Sequence, residues 1–145
     1  MKRPFLTTVL TIIAILFIYS SISFAQDEGH YYTVTTWKLK VPADGSGSEL
    51  NELFKEWHDK IVSKNDKILS QKVLRHQSGA DMRDWVVITE YASWNEIDAA
   101  GDEQSRLVQE AWPNEDDQSA WFAKFGKYAL THSDEILQEK PELTK

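Results

Sequence analysis

The chain has 145 residues, with 16 Lys and Arg against 23 Asp and Glu, a net charge of −7, six tryptophans and no cysteine. Without cysteine it has no disulfides, thiolate metal sites or cysteine nucleophiles, and no lipid-bearing cysteine. The acidic balance and the lack of any basic run argue against nucleic acid as a partner, because that binding needs a basic patch that releases counterions.

Met1–Ala25 has the pattern of a secretory signal peptide. Lys2 and Arg3 supply the positive start, Phe5 to Tyr19 an uncharged apolar core, and Ser23 and Ala25 the small residues of a cleavage site. Cleavage after Ala25 is expected, giving an exported protein, periplasmic or secreted. An uncleaved anchor is the alternative, since a spanning helix needs roughly 20 apolar residues. Loss of Lys2 and Arg3 leaves 14 basic side chains against 23 acidic ones, a net charge of −9. That charge disfavours an anionic membrane surface. The remainder is of single-domain size: residues 26–137 are read as the domain and 138–145 as a tail.

Tyr31–Lys40 (YYTVTTWKLK) is dense in β-branched and aromatic residues and predicts a first strand. Ser46 and Glu49 form a capping-box pair, and Leu50, Leu53, Phe54, Trp57 and Ile61 follow helical spacing, so a helix is predicted over 49–64. Strands follow at Ile68–Gln77 and Trp85–Tyr91, separated by the turn Ser78-Gly79-Ala80-Asp81. Ser93 and Glu96 suggest a second capping box, opening a helix that Pro113 breaks. A further helix starts at Asp116 or Asp117, with Trp121, Phe122, Phe125 and Tyr128 on one face. Leu130–Leu137 is the fourth predicted strand.

The order β-α-β-β-α-β predicts an α+β, ferredoxin-like fold, a four-stranded antiparallel sheet with its helices on one face. Large residues occupy both faces of the first and third strands: Tyr31 and Trp37 alternate with Tyr32 and Val34, and Trp85 and Val87 with Val86 and Ile88. One of these sets would be left in water by a monomer, so a homodimer through the open sheet face is expected.

This layout resembles the dimeric α/β-barrel superfamily, with its antibiotic-biosynthesis-monooxygenase-like and NIPSNAP-like members. The segments that carry the resemblance are YYTVTTWKLK, ELNELFKEW, KVLRHQSGADMRDWVVITEYASWNEI and the closing HSDEI at 132–136. The resemblance implies a small-molecule ligand held between sheet and helices. It also implies that turnover, where present, is cofactor-independent oxygenation of an aromatic substrate, while some members bind or degrade haem. The haem-degrading pattern places a histidine ligand on the second helical segment, and Trp94–Tyr128 contains no histidine.

Arg75, His76, Glu90, His132 and Asp134 lie on three predicted strands and form the candidate polar cluster. His132 and Asp134 are two apart on a strand and so share a face. An Asp beside a His orients the ring and raises its basicity. The expected roles are His132 as base, Asp134 as its orienter, and Arg75 or His76 as stabiliser of an anion or oxygen. Tyr32, Trp37, Trp85 and Glu90 are the expected substrate-binding residues. The competing interpretation is an ordinary structural ion-pair network. No metal is expected, because no HxH, HxxxH or HExxH spacing occurs. His30 and His58 are expected at the surface, and Trp57, Trp121, Phe122 and Phe125 in the core. The absence of GxGxxG, Walker and GxSxG motifs leaves nucleotide cofactors and serine-hydrolase chemistry without support, and no cofactor is expected. The function expected from sequence is an exported, homodimeric small-molecule-binding barrel with monooxygenase-like chemistry as its enzymatic form. The alternatives are a non-catalytic envelope-binding or stress-related protein, and a haem-binding relative.

Overall fold

The computed structural model describes residues 29–79 and 81–145. The segment Met1–Ala25, for which a signal peptide is expected, lies outside the described residues. The strands are β1 (Tyr31–Leu39), β2 (Ser70–Arg75), β3 (Asp84–Tyr91) and β4 (Ala129–Gln138), and the helices are α1 (Gly47–Lys60), α2 (Trp94–Ala111) and α3 (Glu115–Gly126). The sheet order is β2-β3-β1-β4, with every neighbouring pair antiparallel. This is the ferredoxin-like arrangement expected from the element order. Among the described residues, no helix is long and apolar enough to cross a membrane.

Local chemistry sets the helix boundaries. Ser46 caps α1, its hydroxyl accepting from the Glu49 N–H at 3.0 Å. Only half of the expected capping box forms, because the Glu49 carboxylate is drawn to the Tyr128 hydroxyl and to Lys124 instead. Ser93 precedes α2, yet its side chain makes no capping bond, a correction to the second box. That helix runs unbroken through Gly101 and stops at Ala111, before Pro113, whose ring cannot continue it. α3 starts earlier than expected because Asn114 is the cap: its side chain accepts from the Asp116 N–H at 2.9 Å. Glu115, Asp116 and Asp117 fill the first turn of α3, where the helix dipole favours negative charge.

The core lies between the helices and one end of the sheet. Leu39, Leu50, Leu53, Ile61, Leu107, Val108, Trp112, Trp121 and Tyr128 are its buried members. Each fully buried side chain of this kind contributes roughly 1.5–3 kcal/mol relative to exposure. Trp57, Trp112 and Trp121 pack as a triad, with ring centroids 5.2 to 6.3 Å apart.

Strand alternation and register divide the sheet into two faces. The helix side carries three cross-strand rows: Arg75-Trp85-Trp37-His132, Val73-Val87-Thr35-Asp134 and Gln71-Thr89-Thr33-Ile136. The opposite side carries Ser70-Glu90-Tyr32-Leu137, Lys72-Ile88-Val34-Glu135 and Leu74-Val86-Thr36-Ser133. Among the described residues no helix covers this second side, and Leu74 and Leu137 are about half exposed there.

Candidate functional site

A cavity of about 420 Å³ opens between the sheet and the helices. Its floor is Thr33 and Thr35 of β1, Val87 and Thr89 of β3, and Gln71 and Val73 of β2. Its roof is aromatic: Phe54 and Trp57 from α1, and Trp121, Phe122 and Phe125 from α3. The helical spacing that marks these residues as core also aims several of them at the cavity. Threonines occupy the floor because β-branched residues suit a strand, and their hydroxyls find partners within the sheet. Gln71 Nε2 donates to Thr89 Oγ1 at 2.9 Å, and Thr35 Oγ1 donates to Asp134 Oδ1 at 2.7 Å.

Asp134 enters the cavity wall from β4. Its other oxygen lies 2.8 Å from His132 Nδ1. The His132 ring packs on Trp37, with centroids 4.5 Å apart. Trp37 is itself part of the cavity lining and meets Phe125 edge-on at 5.3 Å. A carboxylate on Nδ1 holds the proton there and leaves Nε2 as the basic nitrogen. Both side chains are about half exposed, at 46% and 57%, so the pair sits in a solvated position.

The other expected site residues do not join this pair. Arg75 shares a row with His132, but Trp85 and Trp37 stand between them. Three strand spacings put their backbones about 14 Å apart. Arg75 lines a different cavity, with Trp85. His76 lies past the end of β2, where its backbone N–H donates to the Asp84 carbonyl at 3.0 Å. Its ring packs beside Gly79, where an added Cβ would stand 2.6 Å from His76 Nε2 and where a φ of +133° also favours glycine. Glu90 and Tyr32 belong to the opposite face of the sheet. There Tyr32 donates to Glu90 at 3.2 Å, His30 Nδ1 lies 2.6 Å from the same oxygen, and Ser70 donates to the other oxygen. The Ser70 and His30 hydrogen bonds hold the Glu90 carboxyl below its ordinary range. Burial, with the Glu90 charge beside it, pushes the Tyr32 phenol up. The reason for both corrections is the two-residue alternation, which sends 90 and 32 to the side away from 132 and 134.

His58 is exposed and His30 partly exposed, in line with a surface position, and each makes contacts that its spacing does not reveal. His30 is held by Glu90, and its backbone N–H donates to Glu139 Oε2 at 3.2 Å. His58 lines the cavity, next to Trp57. The apolar stripe of α1 hid it, because a wide cavity takes in residues flanking the stripe. Trp85 does not wall the main cavity: it stacks on Phe54, centroids 4.9 Å apart, and faces away from it. Among the described residues, no group of three or more His, Cys, Asp or Glu is arranged to hold a metal ion.

The fold and cavity together define a ferredoxin-like α+β domain in which a pocket lies between sheet and helices. Solved structures share this fold. A candidate antibiotic biosynthesis monooxygenase from Caulobacter crescentus superposes with a TM-score of 0.51 at 20% identity, covering 79% of this chain and 92% of that one. SnoaB, a cofactor-independent oxygenase from Streptomyces nogalater, gives 0.52 at 11% identity, covering 81% and 99%. A NIPSNAP family protein of unknown function from Agrobacterium tumefaciens gives 0.54 at 14% identity, covering 77% and 89%. At these identities the likeness is one of fold. No protein-family model and no curated protein sequence matches the chain.

Proposed function

We propose that this chain is an exported homodimer that binds a small aromatic or apolar molecule between its sheet and helices. The cavity carries the reading: its 420 Å³ falls within the range of about 300–1,000 Å³ usual for small-molecule sites. An aromatic roof over a floor of threonines and valines favours a flat ring that carries one or two polar groups. Titration with 1-naphthol, read by tryptophan fluorescence, tests it. Saturable quenching is expected, weakened about 10-fold or more by Val87→Trp, which fills the floor. Equal affinity in the two proteins overturns the reading.

The pairing of His132 with Asp134 at 2.8 Å favours a catalytic form of this function. Asp134 holds the Nδ1 proton, and Nε2 removes a proton from a phenolic or similarly acidic substrate, as cofactor-free oxygenation requires. The fold likeness to SnoaB, described as a cofactor-independent oxygenase, supports the same direction. Substrate binding without turnover in every aerobic assay of phenolic ligands leaves the binding function alone.

Dimerisation is supported by the uncovered face of the sheet. Val34, Val86 and Ile88 form its apolar centre. One row runs from Lys72 at one edge to Glu135 at the other, a pattern that a two-fold mate can match with itself. Export is supported by the pattern of Met1–Ala25. Expression of the full chain followed by N-terminal sequencing of the exported fraction tests this point, with Gln26 expected as the first residue.

A further inference from the structure

The second cavity, about 460 Å³, lies on the other side of the Trp85–Phe54 stack from the first. Its lining includes Lys40, Arg75 and Arg83 and no carboxylate. That is an unusual composition in a chain with 23 acidic against 16 basic residues. Arg83 is neutralised by Asp81, whose carboxylate it grips at 2.9 and 2.8 Å. Among the described residues, the side chains of Lys40 and Arg75 have no such partner. Of the acids in this region, Asp44 pairs with Lys127, Glu49 with Lys124 and Asp81 with Lys38, while Asp84 lies 3.7 Å from Lys38 and its Oδ1 is buried without a hydrogen bond among the described residues. The rest of the lining is mostly apolar, with Leu39, Leu50 and Trp85, and Asn51 is its one neutral polar side chain. Val41 and Met82 are more than half exposed. Two uncompensated cations over an apolar wall are suited to a ligand with an anionic end and a hydrophobic body.

We infer that this cavity is a second binding site, selective for a small aromatic or aliphatic carboxylate. Arg75 supplies a planar fork that matches the carboxylate, and Lys40 a point charge beside it. The apolar body lies against Trp85, Val41 and Met82. The site is separate from the 420 Å³ cavity and stands whether or not that cavity binds a ligand.

Calorimetry with 1-naphthoate and its neutral amide, 1-naphthamide, tests the assignment. The carboxylate is expected to bind about 10-fold or more tightly than the amide, with the preference reduced in high salt. Lys40→Gln combined with Arg75→Gln is expected to abolish the preference, and both positions are exposed, so the fold survives the change. Val87→Trp, which fills the other cavity, is expected to leave the preference intact. No preference in the native protein, its survival in the double variant, or its loss in Val87→Trp would each overturn the inference.

Discussion

His132 Nδ1 lies 2.8 Å from Asp134 Oδ2, and the other oxygen of Asp134 accepts from Thr35 at 2.7 Å. The carboxylate is thus fixed from the neighbouring strand, and the imidazole is fixed by the carboxylate and by Trp37. If the pair acts as a base, Asp134→Asn lowers kcat by about 100-fold, in the range usual for loss of general-base function, with little change in KM. His132→Ala has the same kinetic signature. Steady-state kinetics on any substrate that the protein turns over separate this from a structural role, which would move thermal stability instead. Both residues are half exposed, so the thermal midpoint is expected to stay within about 2 °C of the native value.

Tyr128 ties the start of α1 to the start of β4. Its hydroxyl donates to the Glu49 carboxylate and accepts from the Ser46 N–H at 3.1 Å, while its ring is 1% exposed. Tyr128→Phe removes both bonds, leaving the Glu49 carboxylate and the Ser46 N–H each one partner short, and lowers the midpoint by about 5 °C in a thermal melt. Gly45→Ala costs more, because the added Cβ would collide with the Tyr128 hydroxyl.

Glu90 makes stability depend on pH. Its carboxyl titrates below its ordinary range in the folded chain, through the Ser70 bond first and His30 second. The stabilisation is therefore complete above the unfolded value of about 4.3 and is lost as pH falls from there through the lower, folded value. Thermal melts from pH 7 to pH 3 check this. The native protein is expected to melt above Glu90→Gln at pH 7, with the gap closing at the acid end.

Ile88 sits in the centre of the uncovered face, between Lys72 and Val34. A carboxylate there would be buried in a face-to-face dimer at a desolvation cost that pairing with Lys72 does not repay, while a monomer would leave it in water. Ile88→Glu is expected to convert the protein to a folded monomer, read by light scattering with the circular dichroism spectrum unchanged. A native protein that is already monomeric at micromolar concentration refutes the dimer.

Much of the architecture was legible because it follows from short-range patterns. The β-branched run at 31–39 and the stripe at Leu50, Leu53 and Trp57 declare their periods within a few residues. The shared face of His132 and Asp134 follows from the same two-residue alternation. What escaped that reading was relative position. Arg75 and His132 lie on the same face, but at opposite edges of the sheet, so Arg75 cannot serve that base. Glu90 was grouped with a site whose face it does not share. His58 is exposed and also borders the main cavity, and the hydrophobic stripe does not reveal how far a cavity extends beside it.

The sequence by itself determined the element types, the α+β class and the acidic, cysteine-free character of the chain, because those depend on composition and local periodicity. Only the tertiary structure decided which polar residues meet. Strand order and register placed the His132–Asp134 pair by the main cavity, sent Glu90 and Tyr32 to the far side, and gave Arg75 a cavity of its own. Those are long-range pairings, selected by the packing of the whole core around Trp57, Trp112 and Trp121, and no local spacing encodes them.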